Sequence, residues 1–409
     1  MKPNTQGPDR SGMERVRAEV RQLAPEMVRL RRDLHQHPEG GFQEVRSAER
    51  IATYLRECEG VKVRTGIART GVIADLEGGD PQGPCVLLRA DMDALRADEE
   101  NEQLEYRSQN PGFMHACGHD GHMAILLGVA RCLSRHRRAF RGRVRLIFQP
   151  AEEGPGGAEP MIAEGALRDP RPDAAFGLHV WSRLPTGYAG LRAGPMMAYT
   201  DEIAIRVHGK GGHGAYPHDG VDAILAAAQL IVALQSIVSR NVDPTQAAVL
   251  SMGKIQGGTV MNALAERVVI EGTQRAFLPE VRDLCTRRVH EIAAGIDAAL
   301  GSRTEVEYVA RYPALVNDPE MTRLTVEVLE SVLGTGRVQT DWLSMGGEDM
   351  SFYLREVPGC FLFLGAGNSA KGCTAPHHSP RFNFDEEALP LGAEVLLRLA
   401  EHFVGPLDA

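Results

Sequence analysis

Met114-His115-Ala116-Cys117-Gly118-His119-Asp120-Gly121-His122 puts three histidines, one cysteine and one aspartate into nine residues. An apolar run follows at once, Met123-Ala124-Ile125-Leu126-Leu127 with Val129 and Ala130 beyond it, so the cluster opens a helix. Its two glycines let the backbone fold tightly around whatever the side chains hold. Cys117 and His119 are soft and borderline donors that suit zinc or a similar transition metal. At a helix start the macrodipole favours the Cys117 thiolate over the thiol. Packing alone hardly explains three histidines in so short a span. Cys117 and His119 are read as direct ligands, His115 and His122 as supporting or structural groups.

Outward from this segment, helices at 12–36, 44–58, 119–136 and 157–165 alternate with short strand-like runs: Val72 to Leu76, Val86 to Ala90, Val144 to Phe148 and Ala174 to His179. That alternation predicts an α/β domain with a mostly parallel catalytic sheet flanked by helices. Past Met197 the pattern becomes β-α-β-β-α-β: strands at 201–208, 247–255, 267–275 and 304–308, helices at 221–239 and 279–300. This order predicts an inserted α+β, ferredoxin-like domain. The expected division is a discontinuous catalytic domain, 1–198 and 312–409, with 199–311 inserted into it.

Several strand ends carry chemistry. Asp91 and Asp93 follow an apolar strand, placed to orient ligands from behind. Glu152 and Glu153 close the next strand, in Gln149-Pro150-Ala151-Glu152-Glu153-Gly154. Two adjacent carboxylates divide naturally into one ligand and one general base held near an activated water. His179 closes an apolar strand, and His377-His378 sits stiffly between prolines, where one of the two can complete a metal shell. In the inserted domain, Gly209-Lys210-Gly211-Gly212-His213-Gly214 lacks the ending of a phosphate loop. Asn262 can donate a hydrogen bond there, and Arg275 can hold a carboxylate.

The chain's 409 residues imply two domains. A formal charge of −9, with no basic stripe, argues against a nucleic-acid partner. No apolar run is expected to reach membrane-spanning length, and Met1 to Arg21 has no signal-peptide core. Seven scattered cysteines do not form a disulfide framework, which points to a reducing cytoplasm.

Taken together, the segments resemble the metal-dependent aminoacylase and carboxypeptidase superfamily. The nearest branch is that of hippurate hydrolases, N-acyl-amino-acid amidohydrolases and indoleacetyl-amino-acid hydrolases. The resemblance runs from Asp33-Leu34-His35 to His378-Ser379-Pro380, with Met114 to His122, Gln149 to Gly154 and Leu178-His179-Val180 carrying it. It implies two divalent metal ions, zinc or manganese with nickel or cobalt as alternatives. It implies ligands at Cys117, His119, Glu153, His179 and His378, with Cys117 in the place of a bridging carboxylate and Glu152 as general base. The inserted domain becomes a lid and homodimerisation domain. His213 reaches the substrate or oxyanion, in its own or the partner's site, and Asn262 and Arg275 hold the substrate's carboxylate end. Where other branches carry a histidine ligand on the first strand, this chain has Asp91-Met92-Asp93, so both acids are read as supporting groups only. Gly346-Gly347-Glu348-Asp349 is expected to support the site as well. Gly214 replaces a common alanine and Arg96 a common proline; the second bears on substrate choice.

The activity implied is cleavage of the amide bond of N-acyl amino acids or related small amides. The alternatives on the same scaffold are a dipeptidase and an aromatic-amine-releasing amidase. A silent metal-binding relative is disfavoured by Glu152 beside Glu153, since ligation alone needs one carboxylate. A cysteine-nucleophile hydrolase would differ by surviving a chelator.

Overall fold

The computed structural model of the chain describes residues 10–407. Its longer strands, in chain order, are β1 (Val61–Ile67), β2 (Gly71–Glu77), β3 (Asp80–Asp91), β4 (Arg141–Gln149), β5 (Ala174–Pro185), β6 (Tyr199–His208), β7 (Ala248–Gly257), β8 (Arg267–Ala276), β9 (Arg303–Tyr312) and β10 (Gly359–Gly367). The longer helices are α1 (Arg10–Gln36), α2 (Val45–Arg56), α3 (His119–Arg135), α4 (Ala223–Ser236), α5 (Pro279–Leu300), α6 (Pro319–Leu333) and α7 (Ala388–Val404). The chain forms two compact units. One runs to Gly194 and takes in Val316–Trp342 and the chain from Phe352; the other comprises Pro195–Leu315 and Leu343–Ser351.

In the first unit, one sheet has the order β1-β2-β4-β3-β5-β10, extended by the short strands Ala189–Gly190 and Val338–Gln339. The four central strands β4, β3, β5 and β10 are parallel, while β1 and β2 add an antiparallel edge. Helices cover this sheet, so β3 is buried continuously from Cys85 to Asp91 rather than on alternate residues. α1, α3 and α7 pack on one another. Gly128 lets α1 and α3 approach closely, since a Cβ there would come within 2.5 Å of the Met27 sulfur. β1 escapes the sequence reading because it is a largely exposed edge strand, Val-Lys-Val-Arg-Thr-Gly-Ile, with little apolar run to betray it. α7 also escapes it, although eleven of its seventeen residues are buried.

Strand order places the site. β3 lies between β4 and β5, both parallel to it, and the connections leave β3 in one direction and return across it in the other. The crevice outside the carboxyl ends at such a reversal is where open α/β sheets hold ligands.

The second unit has a four-stranded sheet in the order β7-β8-β6-β9, with every neighbour antiparallel. Its core joins Ile203, Ile205, Val268 and Ile270 of the sheet to Leu230 and Leu234 of α4 and Val289 of α5. One expectation needs correction here. Ala223–Asn241, α4 with the π-helical turn after it, is 19 residues long with a mean hydropathy of 1.6, long and apolar enough to cross a membrane by length and composition. Eight isoleucine, leucine and valine residues, among them Leu230, Ile231, Val232 and Leu234, carry that hydropathy. In the fold, Ala226, Ala227, Leu230, Leu234 and Ile237 face the unit's core, while Ile224, Leu225 and Val232 are exposed. All seven cysteines are unpaired and buried.

Candidate metal centre

Asp91 ends β3, buried between two donors. His122 Nδ1 donates to its Oδ1 at 2.6 Å and Arg89 Nη1 to its Oδ2 at 2.8 Å. Burial opposes its ionisation, but His119, His122 and Arg89 outweigh that and hold the carboxyl well below its usual range. His122 Nε2 accepts the Val180 amide at 2.9 Å, so the proton sits on Nδ1 and both ring nitrogens are engaged. His122 therefore ties α3 to β3 and β5 and has no lone pair left for a metal.

His119, at the first position of α3, is oriented differently. Its Nδ1 donates to the Asp93 carbonyl at 2.9 Å. Its Nε2 is buried without a hydrogen-bond partner, 3.7 Å from Asp91 Oδ2 and 3.9 Å from Glu153 Oε1. Burial lowers the ring's basicity, but Asp91, Asp93 and Glu153 raise it further, to about 10. His179, in β5, turns Nδ1 to the Val180 carbonyl at 2.7 Å and presents Nε2 to Cys117 Sγ at 3.3 Å. Both imidazoles thus have Nδ1 fixed by a backbone carbonyl and Nε2 aimed at one point, as metal-ligating histidines do.

Cys117 lies in the loop that leads into α3. Gly118 after it has φ +90°, and a Cβ there would come within 2.5 Å of Val180 Cγ2, so only glycine lets this loop lie against β5. The expected thiolate is not what the protein alone provides. Burial, then Glu153, Glu152 and Asp91, push the thiol well above its ordinary range, outweighing the helix macrodipole. A cation bound here would reverse that balance.

Glu152 and Glu153 follow β4 through a turn in which Ala151 has φ +57°. Asp93 fixes both: its Oδ1 accepts the Glu152 amide at 2.8 Å and its Oδ2 the Glu153 amide at 2.9 Å. With its carbonyl on His119, Asp93 sets three site residues at once. Glu153 Oε1 lies 3.3 Å from His378 Nε2, poorly aligned for a hydrogen bond. His378 has φ +67° and its amide donates to the Ala116 carbonyl at 2.9 Å, which turns its ring toward Cys117 and Glu153. His377 faces away, with Nε2 on the Val180 carbonyl at 2.9 Å and its ring stacked on Trp181, and burial pushes it down to about 3. The structure thus separates the His-His pair.

Two donor groups result, each with its atoms within 4.8 Å of one another: Cys117–His119–His179 and Cys117–Glu153–His378, sharing the sulfur. His119, Glu152 and Glu153 form a third such group. Asp91–His119–His122 also lies within that distance, but the hydrogen bonds of His122 account for it. The sulfur, imidazole and carboxylate set and the unpartnered His119 Nε2 fit a pair of divalent transition-metal ions.

The sequence reading gave no role to Asp120, whose buried Oδ2 accepts from Arg31 Nε at 2.7 Å and lies 2.8 Å from His35 Nδ1. It also missed Glu44, buried against the Ala151 turn. His115 is buried with neither ring nitrogen hydrogen-bonded, and burial pushes it down to about 3. Arg96 is exposed and lies over the Phe113 ring.

In the second unit, His213 is exposed on the short strand Gly212–His213, which pairs with Ala263–Leu264. Its Nδ1 accepts the Ala215 amide at 3.1 Å. The neighbouring Asn262 carbonyl accepts the Gly214 amide at 2.7 Å, and a Cβ on Gly214 would come within 2.9 Å of that oxygen, which accounts for glycine there. Arg275 is half-buried on β8, in the unit's larger sheet. Glu348 and Asp349 are buried and fall within this unit's Leu343–Ser351 segment.

A mixed α/β sheet with sulfur, imidazole and carboxylate donors at its carboxyl edge is the framework of a metallo-hydrolase. Residues 87–402 match the model of peptidase family M20/M25/M40, and the chain belongs to that family. It is 41% identical over 367 residues to an N-acetyl-L-cysteine deacetylase of Bacillus subtilis, covering 90% of this chain and 85% of that one. It is 39% identical over 395 residues to thermostable carboxypeptidase 1 of Saccharolobus solfataricus, covering 96% and 98%. The crystal structure of the Bacillus subtilis YXEP protein, described as a dinuclear metal-binding peptidase from the M20 family, superposes with a TM-score of 0.80 at 34% identity, over 93% of this chain and 98% of that one.

Proposed function

We propose that this protein is a dinuclear metal-dependent amidohydrolase that cleaves the amide bond of N-acyl amino acids. The sharing of Cys117 between Cys117–His119–His179 and Cys117–Glu153–His378 carries the reading. It supplies two three-donor sites from five side chains and leaves Glu152 beside them. Zinc or manganese suits the donors. When bound, the ions supply Lewis acidity and lower the pKa of water toward neutrality.

The protein's own groups then have separate tasks. Glu152, 7% exposed, takes the proton of the attacking water and returns it to the leaving nitrogen. Asp93 holds the Glu152 and Glu153 amides so that base and ligand keep one geometry. Asp91 and the Asp93 carbonyl orient His122 and His119. His213 donates to the oxyanion, a contribution worth roughly 3 kcal/mol per donor. Asn262 and Arg275 hold the substrate carboxylate. In this reading the segment 199–311 is a lid and dimerisation domain, set into a catalytic domain of 1–198 and 312–409. The exposed Ile224, Leu225 and Val232 of α4 and the open edge of β7 with Ile255 support a homodimer through it. The net charge of −9 supports a small-molecule substrate over nucleic acid, and the seven unpaired cysteines support a cytoplasmic setting.

A thiol-nucleophile mechanism is disfavoured by the setting of Cys117, where burial and the carboxylates of Glu153, Glu152 and Asp91 favour the thiol over the thiolate. The test is Glu152→Gln assayed on a panel of N-acyl amino acids, dipeptides and aryl amides after loading with zinc or manganese. The variant should retain its metal and lose about 10²–10⁴ in kcat, the range of general-base contributions. Wild-type turnover in that variant would remove Glu152 as the base.

A further inference from the structure

Glu44 is fully buried, yet it performs no task at the place where the chain puts it. It stands at the N-cap of α2 but makes no capping hydrogen bond. Glu39 caps α2 instead, its two carboxylate oxygens accepting the Arg46 amide at 3.0 Å and the Ser47 amide at 2.8 Å. Glu44 turns inward. Its Oε2 accepts from Thr70 Oγ1 at 2.6 Å, and its Oε1 accepts the amide of Ala151 at 2.9 Å.

Ala151 is an unusual residue to hold. Its φ of +57° lies in the left-handed region, which a side chain with a Cβ disfavours. It is fully buried, and Gly41 lies so close that a Cβ there would come within 3.0 Å of the Ala151 Cβ. Ala151 immediately precedes Glu152. Three successive amides, 151, 152 and 153, are each bound by a carboxylate oxygen: the first by Glu44, the other two by Asp93. Consecutive amides beside a left-handed residue form an anion-binding concavity, and here two buried carboxylates fill it.

We propose that Glu44 is a positioning residue for Glu152: it clamps the Ala151 amide and so holds the left-handed turn that aims the Glu152 carboxylate. The proposal rests on the reading of Glu152 as general base. Thr70, in the turn between β1 and β2, fixes the second Glu44 oxygen and keeps the clamp aimed. What matters in this arrangement is an acceptor at the right distance. Glutamine supplies one, and its amide can donate to Thr70. Leucine supplies none, and aspartate draws the carboxylate back by one methylene.

The experiment compares Glu44→Gln, Glu44→Leu and Glu44→Asp on the N-acyl amino acid that the wild type hydrolyses best, with metal content measured in each. Glu44→Leu and Glu44→Asp should lose about tenfold to a hundredfold in kcat with KM and bound metal unchanged, as for a misaimed group. Glu44→Gln should stay within about threefold of wild type. Hydrogen exchange across residues 149–156 should quicken in Glu44→Leu and Glu44→Asp but not in Glu44→Gln. Wild-type kcat in Glu44→Asp, or a loss in Glu44→Gln as deep as in the other two, overturns the proposal. Those outcomes leave Glu152→Gln inactive, whereas failure of the Glu152 reading shows as turnover in Glu152→Gln itself.

Discussion

Replacing Asp93 by asparagine changes one atom at the point where the site is held together. Asp93 is 2% exposed, and its two oxygens accept the Glu152 amide at 2.8 Å and the Glu153 amide at 2.9 Å. Asparagine keeps one acceptor and turns an amino group toward the other amide, donor against donor. The loss is one charge-assisted hydrogen bond, ~1.5–3 kcal/mol, plus one stranded buried donor, ~1–3 kcal/mol. Together these are worth about 2.5–6 kcal/mol, enough to displace the Glu152–Glu153 backbone rather than leave the clash in place. A shift of ~1 Å in a reacting group costs on the order of 10²-fold in rate, and the loss of a group that supports metal ligands typically costs 10–100-fold in metal affinity or activity. Asp93→Asn loaded with excess metal should therefore lose about a hundredfold in kcat, bind its ions about tenfold more weakly and melt at a lower temperature. The assays are steady-state hydrolysis of an N-acyl amino acid, metal titration and thermal melting on the same preparation. A variant that keeps wild-type kcat, metal affinity and melting temperature would refute the placement of Asp93 as the clamp.

Other consequences are open to measurement. Burial and the carboxylates of Glu153, Glu152 and Asp91 keep the Cys117 thiol protonated, so ligation must release at least one proton and metal affinity should strengthen as pH rises. Calorimetry in two buffers of different ionisation heat detects the release; identical heats would contradict it. Burial, opposed by Thr70, pushes Glu44 from 4.5 up to about 7. A carboxyl raised in this way stabilises the fold fully below the lower value and loses that contribution as pH climbs through the higher one. Glu44→Gln should thus be more stable than wild type at about pH 8, by up to ~3 kcal/mol, and lose most of that advantage by about pH 5. Thermal melts at the two pH values check the sign, and an advantage confined to acid pH would reverse it. The proposed homodimer should fall to monomers in sedimentation on Val232→Glu with Ile255→Lys, since both apolar side chains are exposed on the second unit; an unchanged sedimentation rate would refute that interface.

Much of the chemistry could be read from the chain because it is written in local clusters. The donors of Met114 to His122, the paired glutamates after β4 and the histidine pair before Ser379 announce themselves by residue type and spacing. Residues that work at a distance were harder to see. Glu44 sits about a hundred residues from the amide it holds, in a segment that reads simply as a helix start. Asp120 lies inside the cluster, yet its partners Arg31 and His35 belong to α1. β1 was missed because an exposed edge strand carries no continuous apolar run, and α7 was missed although its apolar residues are legible.

By itself, the sequence determined the kind of site: sulfur, imidazole and carboxylate donors at the ends of apolar strands, because donor chemistry and hydrophobic periodicity are properties of short segments. The tertiary structure decided which donors are available. His122 is used up by Asp91 and Val180, while His119 and His179 each spend Nδ1 on a carbonyl and keep Nε2. His377 turns into the protein and His378 toward Glu153. It also decided the state of Cys117, whose helix-start position favours a thiolate while burial among three carboxylates holds the thiol. A lone pair's direction and a thiol's protonation depend on neighbours brought in from elsewhere in the chain, so only the folded arrangement could settle them.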